Sequence, residues 1–155
     1  MLEQIDLSLF EIAEMLRERI FKRIATLSKE PRVPSDPTED PIACHGGAAI
    51  GVKKGEILQI FVQEINPELE DYWADPRGRY AAYAAMKVIT ALQDEKPTVD
   101  TGMDFNFSGA VHRGGVPAYL SEYDAWIAIS FSGFESWEDQ EIAEKILQEF
   151  FQNMI

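Results

Sequence analysis

Residues 42–63 read IACHGGAAIGVKKGEILQIFVQ, and this stretch decides the fold. Ile42 to Val52 is small, apolar and dotted with glycine, the pattern of a buried strand weakened by Gly46 and Gly47. Lys53-Lys54-Gly55 reads as a turn. Glu56 to Gln63 then alternates strictly, with Ile57, Gln59, Phe61 and Gln63 on one face and Leu58, Ile60 and Val62 on the other. Two such runs joined by a short glycine-containing turn predict a β-hairpin.

A second hairpin lies further along. Val116 to Leu120 forms one arm, Ser121-Glu122-Tyr123 the turn, and Asp124 to Ser132 the other arm. In that last arm Ile127, Ile129 and Phe131 face one way, and Trp126, Ala128 and Ser130 the other. Between the hairpins Tyr80 to Leu92, YAAYAAMKVITAL, sits in a predicted helix over 76–93, opened by Asp75-Pro76 and ended by Lys96-Pro97. Alanine at this density lets a helix lie close against a sheet.

Two further helices flank the hairpins. Ser8 and Glu11 have the spacing of a capping box, and Leu9, Ile12, Ala13, Leu16, Ile20, Ile24 and Leu27 form an apolar stripe, predicting a helix over 8–28. Ser136 and Asp139 repeat the capping signal before Ile142, Ile146, Leu147, Phe150, Phe151 and Met154. The order is helix, hairpin, helix, loop, hairpin, helix, which describes an α+β domain: an antiparallel sheet from two hairpins with flanking helices, as in profilin-like and longin-like domains. Residues 97–113 form a loop long enough to suggest a functional role.

At 155 residues the chain is one domain, given roughly 100–200 residues per domain. Within it, 1–29 is the N-terminal helix, 30–41 a stiff connector carrying Pro31, Pro34, Pro37 and Pro41, and 42–155 the α+β body. Fourteen basic and 27 acidic side chains give a net charge of −13. That surface repels a nucleic-acid backbone and an anionic membrane, so neither is expected as a partner. No apolar run approaches the roughly 20 residues of a membrane span, and no secretory signal is legible. The lone Cys44 points to a reducing, cytoplasmic setting. Six basic and six acidic residues cancel within 1–35, so the whole excess falls on the other 120 residues. A neutral helix on an acidic body is either a docking element for a sister subunit or a solvated face laced with ion pairs.

Few residues offer chemistry. His112 and Arg113 close the long loop, followed by Gly114 and Gly115, which would let a ligand approach the backbone. The ordinary alternative is a surface histidine. Lys87 shares a helix face with Tyr80, Tyr83 and Thr90. It suits a ligand carboxylate flanked by aromatic rings, or else snorkels on an exposed face. Cys44 and His45 are strand neighbours pointing to opposite faces, with no third group to orient them, so a buried cysteine and a loop or edge histidine are expected. The acidic clusters Asp100/Asp104, Glu68/Glu70/Asp71 and Glu138/Asp139/Glu141 lack the spacing of a calcium loop. Phosphate-binding, hydrolase and zinc-protease motifs are absent, which disfavours an enzyme of a familiar class.

Three stretches in order resemble the GlcG/HbpS-like haem-binding domains, which also form the C-terminal half of PduO-type cobalamin adenosyltransferases. They are Lys87-Val88-Ile89-Thr90-Ala91, then Gly114-Gly115-Val116-Pro117, then Ile127 to Gly133 with Asp139 to Glu144. The hairpin turn around Lys54-Gly55-Glu56-Ile57-Leu58 is a fainter echo, and the resemblance spans about residues 45–150. The chain departs from the family pattern at AIGVKKG, which lacks an aspartate, and at Phe134-Glu135-Ser136-Trp137, where a small-residue turn is usual.

The resemblance implies a homo-oligomeric binding protein for haem or a related tetrapyrrole. His112 would be the axial ligand of the haem iron, with Arg113 and Lys87 on the propionates and Tyr80, Tyr83 and Trp126 on the rings. Gly114, Gly115 and Thr90 complete the expected site. The acidic charge weighs against a dianionic ligand unless those cations make a local pocket. Two other readings stand beside this one. One is a profilin- or longin-type protein-interaction module without a small ligand; the other is an enzyme acting on a small anionic substrate through Lys87 and His112.

Overall fold

A computed structural model of the chain describes residues 2–30, 45–69, 79–100 and 112–152, with side chains from Leu9 onward. The elements are α1 (Leu2–Leu27), β1 (Gly46–Lys54), β2 (Ile57–Ile65), α2 (Arg79–Asp94), β3 (Gly115–Leu120), β4 (Ala125–Ser132) and α3 (Ser136–Phe151). The four strands form one antiparallel sheet in the order β2-β1-β4-β3. This is the α+β layout expected from the two hairpins. The proline connector, Cys44, the Asp75-Pro76 helix start and most of the long loop lie outside the described residues.

Each hairpin closes where the local chemistry allows. Lys54 pairs with Ile57, leaving Gly55-Glu56 as a two-residue turn, one residue later than the sequence reading. Gly55 has φ 58°, the left-handed backbone that such turns require at their first central position. The second hairpin turns through Ser121–Asp124, with Asp124 at φ 48°.

The helices cover both faces. Ile50, Val52, Ile127, Ile129 and Phe131 meet the apolar stripes of α1 and α3 in the larger core. On the other face Ala49 and Ala128 pack against Ala84, Val88, Ala91 and Leu92 of α2. Gly46 and Gly47 look like strand-weakeners in sequence, and their cause is tertiary. A Cβ on Gly47 would sit 2.3 Å from the Ala81 nitrogen and 2.4 Å from the Tyr80 carbonyl carbon, so the helix backbone lies directly on the strand.

Two helix starts differ from expectation. α1 begins at Leu2, six residues before Ser8, because Leu2, Ile5 and Leu9 continue its apolar spacing and Glu3 and Asp6 suit the positive end of the helix dipole. Ser8 therefore lies inside the helix and not at its start. α3 is capped by Glu135, not Ser136, with the Glu138 side chain reaching back to the Glu135 amide at 3.4 Å. Asp139 is turned inward instead.

Candidate functional site

The far end of the sheet from the Gly55 turn carries the chemistry. Along one face of α2, Tyr80, Tyr83 and Lys87 fall at positions i, i+3 and i+7. Ser132 ends β4, Gly133–Glu135 turn the chain, and the first turn of α3 brings Ser136, Trp137 and Asp139 alongside. His112, just before β3, completes the ring. These residues line a cavity of about 600 Å³, together with Phe134, and its volume is within the range of small-molecule sites.

The floor is a buried ion pair. Lys87 Nζ lies 3.1 Å from Asp139 Oδ2 and donates to the Phe131 carbonyl at 3.0 Å, while the Phe134 amide donates to Asp139 Oδ1 at 3.0 Å. Burial pushes the Asp139 carboxyl above its usual range, opposed by the Lys87 charge and by the amides of Phe134 and Gly133. Lys87 is thus neither snorkelling nor held ready for a ligand carboxylate. Its ammonium is already committed, and the reason is that α3 delivers an aspartate to it.

Gly114 and Gly115 also have a different neighbour from the one expected. A Cβ on Gly114, at φ 128°, would meet Lys87 Nζ at 2.8 Å, and one on Gly115 the Lys87 carbonyl oxygen at 2.5 Å. The glycines admit α2, and neither lines the cavity.

Asp100 organises the rim. It accepts the Arg113 amide at 3.0 Å and the Ser136 hydroxyl at 2.9 Å, with His112 Nδ1 at 3.7 Å. Partial burial opposes its charge, yet the Arg113 amide, Ser136 and the nearby cations hold its pKa below the usual carboxylate range. The serine hydroxyl points to the aspartate and not to the histidine, so the three do not form a nucleophilic relay. The Arg113 side chain donates to Gln140 at 2.7 Å and does not line the cavity.

The structure therefore brings together His112, Tyr80, Tyr83 and Lys87 from the expected set, and leaves Thr90 and Trp126 away from the cavity. Trp126 sits at the opposite end of β4, against Tyr119. Tyr80 is buried edge-on to His45, with ring centroids 5.4 Å apart; His45 is itself buried, not a loop or surface-edge histidine. Sequence reasoning missed the whole run Ser132–Trp137, and with it Asp139, as lining residues. In the sequence, Phe134–Trp137 stands out only as a departure from the small-residue turn usual in GlcG/HbpS-like domains, and this segment forms one wall. Trp137 Nε1 donates to Glu135 at 2.9 Å, which fixes the indole there.

Among the described residues no group of three or more His, Cys, Asp or Glu side chains could hold a bare metal ion. A haem iron brings four nitrogen ligands of its own, so one imidazole suffices. An orienting carboxylate would have to accept a hydrogen bond from the imidazole, and Asp100, 3.7 Å from His112 Nδ1, is beyond that distance. The lining offers aromatic rings and one imidazole, whereas Lys87, held by Asp139 and the Phe131 carbonyl, is not available to a propionate. No helix among the described residues is long and apolar enough to cross a membrane. Comparison with family models, curated proteins and solved structures finds no match for this chain.

Proposed function

We propose that the protein is a small-ligand-binding protein acting as a homo-oligomer, and that its cleft takes a planar, largely apolar ligand of the haem or related tetrapyrrole class. The observation that carries this reading is the convergence of His112, Tyr83, Phe134 and Trp137 around one cavity of about 600 Å³ above a neutralised floor. Haem, when bound, supplies an iron atom that accepts an imidazole nitrogen, and His112 is the residue that would provide it. The rings of Tyr83, Phe134 and Trp137 would contact the macrocycle. Lys87 stays with Asp139, so of the expected cations only Arg113, beside the rim and bonded to Gln140, would be left for the propionates. The order of the GlcG/HbpS-like sequence stretches supports the same ligand class.

The enzyme reading loses its main element, because a lysine held by a buried aspartate is not free to bind an anionic substrate. The interaction-module reading draws on a specific feature, the exposed Ile57, Leu58 and Val62 of β2.

The test is a haemin titration followed by the Soret band and by tryptophan fluorescence, with His112→Ala and Trp137→Phe beside the wild type. Expected are saturation at one haem per chain, a Soret shift lost in His112→Ala, and quenching reduced in Trp137→Phe. An unsaturable response, or one blind to both substitutions, means adsorption and gives the lead to the interaction module.

A further inference from the structure

The two edges of the sheet are treated very differently. β3 is six residues long, carries Pro117, and has its first residue bound on both sides by Thr98, whose amide donates to the Gly115 carbonyl and whose hydroxyl accepts the Gly115 amide. These are the devices that keep an edge strand from pairing with another chain. β2 is nine residues long, and its first seven, ILQIFVQ, contain no charge and no proline. A seven-residue run of this composition on an open edge is an aggregation hazard unless something covers it. Ile57, Leu58 and Val62 are 62%, 47% and 45% exposed.

The register states which groups are open. The residues flanking a two-residue hairpin turn exchange both backbone hydrogen bonds, so Lys54 and Ile57 do, and the alternation follows from there. Ile57, Gln59, Phe61, Gln63 and Ile65 are bonded to β1. Leu58, Ile60, Val62 and Glu64 turn their N–H and C=O groups outward, where no described strand meets them.

We infer that β2 is the edge through which two copies of this chain pair, antiparallel about a two-fold axis at Phe61, making one continuous eight-stranded sheet. That register sets Leu58 opposite Glu64 and Ile60 opposite Val62, so all four outward residues of each copy are paired and the lone charge never meets its twin. Charge selects this occupant. The chain carries −13 overall, so two copies repel except where both are neutral. β2 is neutral over 57–63, and the groove between it and α1 is rimmed by one charge of each sign, Arg17 and Glu18. A two-fold axis there brings together patches that are complementary to themselves. Phe61, with the Arg17 guanidinium 5.1 Å from its ring, marks the axis. The inference rests on the homo-oligomeric part of the proposed function and not on the ligand.

The experiment needs no ligand. Wild type, Val62→Pro, and Phe61→Cys and Gln59→Cys in a Cys44→Ser background are compared by sedimentation equilibrium and by non-reducing gel after mild oxidation. The Val62 amide faces outward, so proline there spares the β1 ladder while blocking the edge. Residues facing each other at the axis lie about 4.5 Å apart by Cα, within disulfide reach. Expected are a dimeric wild type, a halved mass for Val62→Pro with unchanged circular dichroism, and a cross-link for Phe61→Cys but not for Gln59→Cys. A monomeric wild type overturns the edge and the homo-oligomer together. An oligomer that Val62→Pro leaves intact, without a Phe61→Cys cross-link, overturns the edge alone.

Discussion

Lys87 Nζ and Asp139 Oδ2, on α2 and α3, lie 3.1 Å apart with both side chains almost sealed from water. The pair joins the two faces of the molecule around the end of β4, because Lys87 also holds the Phe131 carbonyl and Asp139 also holds the Phe134 amide. It sets the turn that forms one wall of the cavity. Its cost is the desolvation of two ions, so it specifies geometry more than it adds stability.

Removing one partner leaves the other charge buried. Asp139→Asn and Lys87→Met are each expected to lower unfolding free energy by about 3–5 kcal/mol in urea titrations. The double variant Lys87→Met/Asp139→Asn is expected to lose less than the two singles added together, since neither charge is then stranded. Additive losses would show that the pair is not coupled.

Gly47→Ala places a methyl group against the backbone of α2 at Tyr80 and Ala81, where no side chain can give way. The expected loss is more than about 2 kcal/mol, from overpacking against main chain. Gly55→Ala meets no atom within 4 Å and is strained only by its φ of 58°, so it is expected to cost less, roughly 1 kcal/mol. Equal melting temperatures for the two variants would contradict this.

Asn66 follows β2 at φ 51° and its amide donates to Ser28 Oγ at 2.7 Å and to the Ala25 carbonyl at 3.2 Å, tying the sheet to the end of α1. Asn66→Ala loses both bonds and strains the backbone, an expected cost of about 2 kcal/mol. Asn66→Gly keeps the backbone conformation and loses only the bonds, so chemical denaturation is expected to find it the more stable of the two.

Asp100 has a folded pKa below its unfolded value, so it binds protons less readily in the native state. Its contribution is present above the usual carboxylate range and is lost as pH falls through the lowered folded value. Asp100→Asn is therefore expected to be less stable than wild type at neutral pH, by a margin that closes on acidification. Thermal melts of both proteins across that range check it; a margin that widens in acid would refute the linkage.

Much of the architecture was legible because it is local. The Ile127/Ile129/Phe131 face reports a strand against a core, and the structure buries all three. The alternation after Glu56 does mark a strand, but Ile57, Leu58 and Val62 of that strand stay exposed. Helix α1 was read short because a plausible cap at Ser8 competes with an apolar spacing that runs on to Leu2. For α3 the capping spacing was present, but one residue of offset reassigned the cap to Glu135 and released Asp139 for the interior.

The cavity was half legible. Tyr80, Tyr83 and Lys87 share a helix face, which spacing alone reveals, and His112 stands out by chemistry. Phe134 and Trp137 reach the same space only because β4 and α3 meet there. No one-dimensional pattern records that Gly114 and Gly115 make room for a helix and not for a ligand.

By itself the sequence determined the two hairpins, the helical segments between and beside them, and a strongly acidic surface, since these follow from periodicity, turn chemistry and charge within a few residues of each position. The tertiary structure alone decided that Lys87 pairs with Asp139, that Trp126 stands away from the cavity while Trp137 walls it, and that β2 and β3 are the two edges of the sheet. Each of those depends on which distant segments share a boundary, and the balance of desolvation, packing and pairing is struck only there.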